Sequence, residues 1–220
     1  MSSISEKRIS ILISGRGSNM EAFLKAERRG ALSGQVVRVI SNRPDAAGLA
    51  TASDAGVATT VVDHTLYESR EAFDAALAEA VKQDNPDVVV LAGFMRILTP
   101  VFINAFVGKL VNVHPSLLPN YPGLNTHQRA IDSGDREAGA TVHYVTNELD
   151  GGPPILQVSV PIESDDDADS LAARILDFAH VIFPEAVNWH LQGRLVHEAD
   201  GAYLDGKKLP PTGTLWEWQA

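Results

Sequence analysis

The chain has 220 residues, 45% of them hydrophobic and 21% charged, with a formal net charge of −10. That acidic balance argues against a nucleic-acid partner, whose affinity would come from phosphate neutralisation by Lys and Arg. The absence of Cys excludes disulfides, thiolate metal sites, iron–sulfur clusters and thiol nucleophiles.

The longest apolar stretch, residues 88–95, is too short to span a bilayer. The polar start MSSISEKR lacks the apolar run of an export signal. A cytoplasmic protein with no membrane contact is expected. Residues 8–14 (RISILIS) read as a strand ended by Gly15-Arg16-Gly17, and a helical pattern runs from Ser18-Asn19 to about Arg29. A second strand follows over 35–41, then a short helix over 46–54 and a third strand over 59–62. The spacing of Phe73, Leu77 and Val81 predicts a helix over 69–82, stopped at Asn85-Pro86. The uninterrupted run VVVLA (88–92) suits a strand covered on both faces. A short helix over 100–106 leads to a fifth strand, LVNVH (110–114).

Beyond His114 comes the Pro-rich loop HPSLLPNYPG, a helix over about 126–133, and strands over 140–146 and 155–160. The acidic run Asp165-Asp166-Asp167 reads as a solvated loop and helix N-terminus. The helix from about Ser170 is expected to kink or restart at Pro184. Asp205-Gly206 between short runs signals a hairpin. Alternating strands and helices predict an α/β fold: a Rossmann-like, doubly wound, mostly parallel sheet with helices on both faces and a small C-terminal hairpin. With no repeat or linker, residues 1–220 read as one domain. It divides into a half that holds the glycine-rich loop (1–106), a half that holds Asn112, His114 and Asp150 (107–209) and a tail (210–220) that holds Trp216 and Trp218.

Three places could carry chemistry. Ser14-Gly15-Arg16-Gly17-Ser18-Asn19 lies where a strand gives way to a helix, so free amides and the positive helix end favour a phosphate. It is neither a Walker loop nor the full dinucleotide fingerprint, since Met20 fills the third glycine position. The plainer reading is a tight turn with Ser18 as helix cap. Asn112 and His114 share one strand face, at the edge where open α/β sheets bind ligands. Asp150 precedes Gly151-Gly152. Alone it would be a turn residue, but beside His114 it would favour the imidazolium. His127, His143 and His180 are not spaced as a metal set, and His143 reads as structural. Two donors and an acid–base pair without a nucleophile suit direct acyl transfer between two bound substrates.

Four segments carry a resemblance: Ser14-Gly15-x-Gly17-Ser18-Asn19, Leu91-Ala92-Gly93-Phe94-Met95-Arg96-Ile97-Leu98, Asn112-x-His114-Pro115-Ser116-Leu117-Leu118-Pro119 and Leu149-Asp150-x-Gly152. In this order and spacing the chain resembles the phosphoribosylglycinamide formyltransferases of the folate-dependent formyltransferase family, from about Arg8 to Leu209. The resemblance implies formyl transfer from 10-formyltetrahydrofolate to glycinamide ribonucleotide in purine synthesis, with no metal, by a monomer or homodimer. It implies that Gly17, Ser18 and Asn19 hold the phosphate, and that Arg70, Met95, Arg96, Ile97 and Leu98 line the folate site. Backbone near Val145 to Asp150 would grip the pterin. Asn112 and His114 would stabilise the tetrahedral centre while Asp150 tunes His114, and Leu118–Pro119 would be cis.

The chain departs from the family at Ala179, where a ribose-contacting Glu is usual, at Leu176, where Lys or Gln is usual, and at Asn125, where many relatives have His. Asp177 is a candidate replacement for the Glu. Other readings are a formyltetrahydrofolate hydrolase, a formyltransferase with another acceptor, or a silent sugar-phosphate-binding protein.

Overall fold

The computed structural model describes residues 6–217. The elements run β1 (Lys7–Ile13), α1 (Ser18–Arg28), β2 (Gly34–Ser41), α2 (Ala47–Asp54), β3 (Ala58–Val61), α3 (Arg70–Lys82), β4 (Val88–Leu91), α4 (Pro100–Ile103) and β5 (Leu110–His114). They continue with α5 (Thr126–Asp132), β6 (Glu137–Tyr144), β7 (Pro154–Pro161), α6 (Ala168–Leu191), β8 (Leu195–Glu198), β9 (Gly201–Leu204), β10 (Lys207–Lys208) and β11 (Thr214–Leu215). Eight strands form one sheet in the order β11-β7-β6-β5-β4-β1-β2-β3. The β3-β2-β1-β4-β5 portion is parallel. β6 pairs antiparallel with both β5 and β7, and β10-β9-β8 make a separate antiparallel sheet. The doubly wound, mostly parallel expectation holds, with the hairpin at Asp205-Gly206 in place.

The central strands show why. Every residue of β4 is buried, as helices on both faces require. One side packs Phe23, Ile175 and Phe183 of α1 and α6 against the sheet. The other packs Phe73, Leu77 and Val81 of α3 with Phe102. α6 runs through Pro184 without interruption, contrary to the expected restart. Pro184 is buried on the core face, where packing offsets the missing hydrogen bond. The acidic run behaves as expected: Asp167 caps α6 in a capping box with Ser170, and Arg174 holds the Asp166 carboxyl down to about 2.

Strand order places the chemistry. β1 and β4 are neighbours although β2 and β3 intervene in the chain, so their carboxyl ends form the switch-point crevice. β4 also neighbours β5, so the segment after β4 lies between the loop after β1 and the end of β5. Residues 214–216 of the tail dock on the sheet and on α6. β11 pairs parallel with β7, and Trp216 donates its indole N–H to Glu185 Oε2 at 3.1 Å and packs near Phe178. Trp218 lies outside the described residues.

Candidate active site

The loop after β1 has a specific geometry. Gly17, not Ser18, is the cap residue of α1. It is left-handed at φ 79°, and no side chain caps the helix. A Cβ there would lie 3.1 Å from the Met20 side chain and 3.4 Å from Gly48 Cα, so glycine suits both the conformation and the close approach. The uncapped first turn, at Ser18 and Asn19, presents free amides to the crevice, and Asn19 Oδ1 is buried without a partner. A cleft of about 490 Å³ opens there, lined by residues 14–19, Asn42, Arg43, His64 and the start of the post-β4 segment. Asn42 and His64 carry no motif and were not anticipated. They reach the cleft because they sit just past β2 and β3, at the same sheet edge as Ser14.

At the end of β5, Asn112, His114 and Asp150 converge. Asp150 Oδ2 lies 3.5 Å from His114 Nδ1 and Oδ1 lies 4.0 Å from His143 Nε2. Burial pulls the His143 pKa down to about 4, so His143 is neutral near pH 7. His114 Nε2 faces the Tyr121 carbonyl at 2.9 Å. A carbonyl only accepts, so Nε2 carries a proton, and Nδ1 is the nitrogen that faces Asp150.

His143 is buried and paired at both ring nitrogens. Its Nδ1–H donates to the Tyr144 carbonyl at 2.9 Å, leaving Nε2 to accept from Asn112 Nδ2 at 3.2 Å. That contact crosses the β5–β6 pair, where Asn112 and His143 stand directly opposite. One amide hydrogen of Asn112 is thereby fixed and the other remains to be offered.

Backbone constraints aim Asp150. It adopts φ 51°, and its carboxylate accepts the Gly123 N–H at 2.8 Å. A Cβ on Gly152 would stand 1.8 Å from the Tyr144 carbonyl oxygen, which accounts for the second glycine of the motif. The 115–122 loop carries the expected cis Leu118–Pro119 bond. Buried Thr141 clamps that loop, accepting the Leu118 N–H at 3.0 Å and donating to the Ser116 carbonyl at 2.6 Å.

The remaining candidates divide. Met95 and Ile97 are 73% and 61% exposed, whereas Leu98 is buried in the cluster that holds Phe73 and Phe102. The Arg96 guanidinium lies 5.0 Å over the Phe73 ring, and Arg70 donates to the Ile97 carbonyl. Val145 continues the sheet edge, its N–H bonded to the Leu110 carbonyl at 2.9 Å. Ala179 is buried in the core, while Asp177 is exposed and, two residues away, points to another side of α6. Asp177 therefore does not stand in for a Glu at 179. Asn125 takes the left-handed conformation before α5, which Asn tolerates well.

The formyl transferase family model matches residues 7–187. The phosphoribosylglycinamide formyltransferase of Escherichia coli is 48% identical over 205 residues, covering 93% of this chain and 97% of its own length. The solved phosphoribosylglycinamide formyltransferase of Coxiella burnetii superposes with a TM-score of 0.92 at 40% identity, covering 96% of this chain and all of the other. A trifunctional purine biosynthetic protein of Drosophila melanogaster is 45% identical over 189 residues, 85% of this chain and 14% of that protein. The chain belongs to the formyl transferase family. Among the described residues of this formyl transferase, no helix is long and apolar enough to cross a membrane. Its glycine-rich loop after β1 and the residues Asn112, His114 and Asp150 lie on opposite sides of the post-β4 segment.

Proposed function

We propose that this formyl transferase moves the formyl group of 10-formyltetrahydrofolate onto the amine of glycinamide ribonucleotide, as a cytoplasmic enzyme of purine biosynthesis. The observation that carries this reading is the 3.5 Å approach of Asp150 Oδ2 to His114 Nδ1, with Asn112 on the same face of β5. The names of the relatives supply the acceptor. The uncapped N-terminus of α1 at Gly17, Ser18 and Asn19 supports a phosphate there. The folate side fits the residues present: Met95 and Ile97 expose apolar surface suited to a flat aromatic ligand, beside the guanidinium groups of Arg70 and Arg96 and the backbone from Val145 to Asp150. Bound there, the folate supplies the activated formyl carbon.

The chain's own residues then do three things. The free amide hydrogen of Asn112 and the Nδ1–H of protonated His114 stabilise negative charge developing on the formyl oxygen. Asp150 orients the His114 ring through its contact with Nδ1. As the bond from the folate nitrogen to the formyl carbon breaks, His114 gives that nitrogen its Nδ1 proton and takes up the amine proton in its place, directly or through a water. Each preorganised donor is worth roughly 10²–10³ in rate.

The test mixes the protein with glycinamide ribonucleotide and 10-formyl-5,8-dideazafolate and follows absorbance. Turnover that requires the ribonucleotide supports the proposal. Turnover without it indicates a hydrolase, and none at all a silent sugar-phosphate binder.

A further inference from the structure

Segment 92–99 separates the two halves of the site and belongs to no helix or strand. Its Ala92 N–H donates to the Leu12 carbonyl at 2.9 Å. Its Thr99 carbonyl accepts the Phe102 and Ile103 N–H groups, and side chains tether the rest. Arg70 holds the Ile97 carbonyl, buried Asp74 accepts the Thr99 N–H and Phe73 underlies Arg96, all from α3. The tether from the opposite side is Ser14, whose Oγ accepts the Met95 N–H at 2.8 Å.

The Ser14 hydroxyl is fully committed. It donates to Asn42 Oδ1 at 2.6 Å, a separation normal for O–H···O and short for N–H···O. This sets the Asn42 amide with its oxygen towards Ser14. Ser14 and Asn42 are 5% and 3% exposed, so water does not readily replace either partner. Asn42 is held in turn by His64, whose Nδ1–H donates to the Asn42 carbonyl at 2.8 Å. One buried hydroxyl thus joins the loop that begins at Ser14 and ends at the uncapped helix to the backbone that presents Met95.

We propose that Ser14 is a positioning residue that couples the two substrate sites, so that a phosphate seated on residues 17–19 tightens folate binding at residues 95–98. The inference rests on the functional reading above. A bound phosphate restrains the 14–19 loop, Ser14 passes that restraint to the Met95 amide, and the folate then finds its wall already ordered. Linkage makes the effect reciprocal.

The experiment titrates 5,8-dideazafolate, which carries no formyl group and cannot turn over, with and without glycinamide ribonucleotide. Wild-type protein, Ser14→Ala, Ser14→Thr and Asp74→Asn are compared by calorimetry. The ribonucleotide lowers the wild-type Kd by about fivefold or more. Ser14→Ala brings that ratio to near one, and Ser14→Thr, which keeps a hydroxyl, restores it. Asp74→Asn, acting from the α3 side, weakens the folate analogue equally with and without ribonucleotide. In parallel, hydrogen exchange at the Met95 amide of wild-type protein slows when ribonucleotide binds, a readout that stands even where Ser14→Ala fails to fold. Both ligands binding wild-type protein independently, or an undiminished ratio in Ser14→Ala, overturns the coupling and leaves the functional reading intact. Wild-type protein that binds neither ligand overturns both.

Discussion

Asn112 Nδ2 lies 3.2 Å from His143 Nε2 across the antiparallel pairing of β5 and β6. The two residues are 31 positions apart in the chain, yet one sets the orientation of the other. Because His143 spends its Nδ1–H on the Tyr144 carbonyl, its remaining nitrogen accepts only, and the amide of Asn112 must turn its NH₂ end towards it.

His143→Ala is therefore expected to lower kcat by roughly 10–100-fold through misplacement of the Asn112 amide. Residues that act through one another are not additive. The Asn112→Ala/His143→Ala double variant should be no slower than Asn112→Ala alone, as steady-state kinetics on the four proteins will show. Multiplicative losses would refute the relay.

His143 also sets an acid limit on stability. Burial lowers its pKa from 6.5 to about 4, so between those values the unfolded chain binds the proton and the folded chain does not. Stability is then fully present above about pH 6.5 and is lost as pH falls towards 4, by up to about 3 kcal/mol from this group. His127, His180, His190 and His197 are lowered by burial in the same sense and steepen the slope. Urea midpoints measured from pH 7.5 to 4.5 will fall, and His143→Phe will flatten part of that fall.

Much of this was legible in the chain. The Val-rich run of β4 and the LVNVH of β5 announced buried parallel strands, and the Asn112–His114 spacing put both side chains on one face. What escaped was tertiary. His143 looked structural because nothing local says which residue will stand opposite it in an antiparallel register. Ser14 looked like part of a phosphate loop because its contacts with Asn42 and Met95 span 28 and 81 positions. β8 and β11, four and two residues long, are too short to show a period of two. Pro184 signalled a break that core packing overrode.

The three residues proposed to carry catalysis, Asn112, His114 and Asp150, allow a graded prediction. Asn112→Ala and His114→Ala each remove a donor and are expected to cost on the order of 10²–10³ in kcat. Asp150→Asn keeps an oxygen for the Gly123 N–H but removes the charge facing His114 Nδ1. Its kcat should fall by roughly 10²-fold with little change in the thermal midpoint. A near-normal rate in any of the three variants would remove that residue from its assigned role.

The two glycines after Asp150 separate a structural demand from a tolerance. On Gly152 a new Cβ would meet the rigid Tyr144 carbonyl at 1.8 Å, whereas on Gly151 it would meet the Glu148 side chain at 2.4 Å. Rotation carries the Glu148 Cγ and Cδ away but leaves its Cβ at 2.8 Å, so residues 148–151 must shift slightly, whereas the backbone of β6 cannot move without disturbing His143, one residue before Tyr144. Gly152→Ala is accordingly expected to cost about 3 kcal/mol or more, and Gly151→Ala a smaller amount, on the order of 1 kcal/mol, in chemical denaturation. Because the same displacement would shift His143 and the carboxylate of Asp150 together, Gly152→Ala should also lose activity beyond what its folded fraction explains. Gly151→Ala should keep activity in proportion to folded protein.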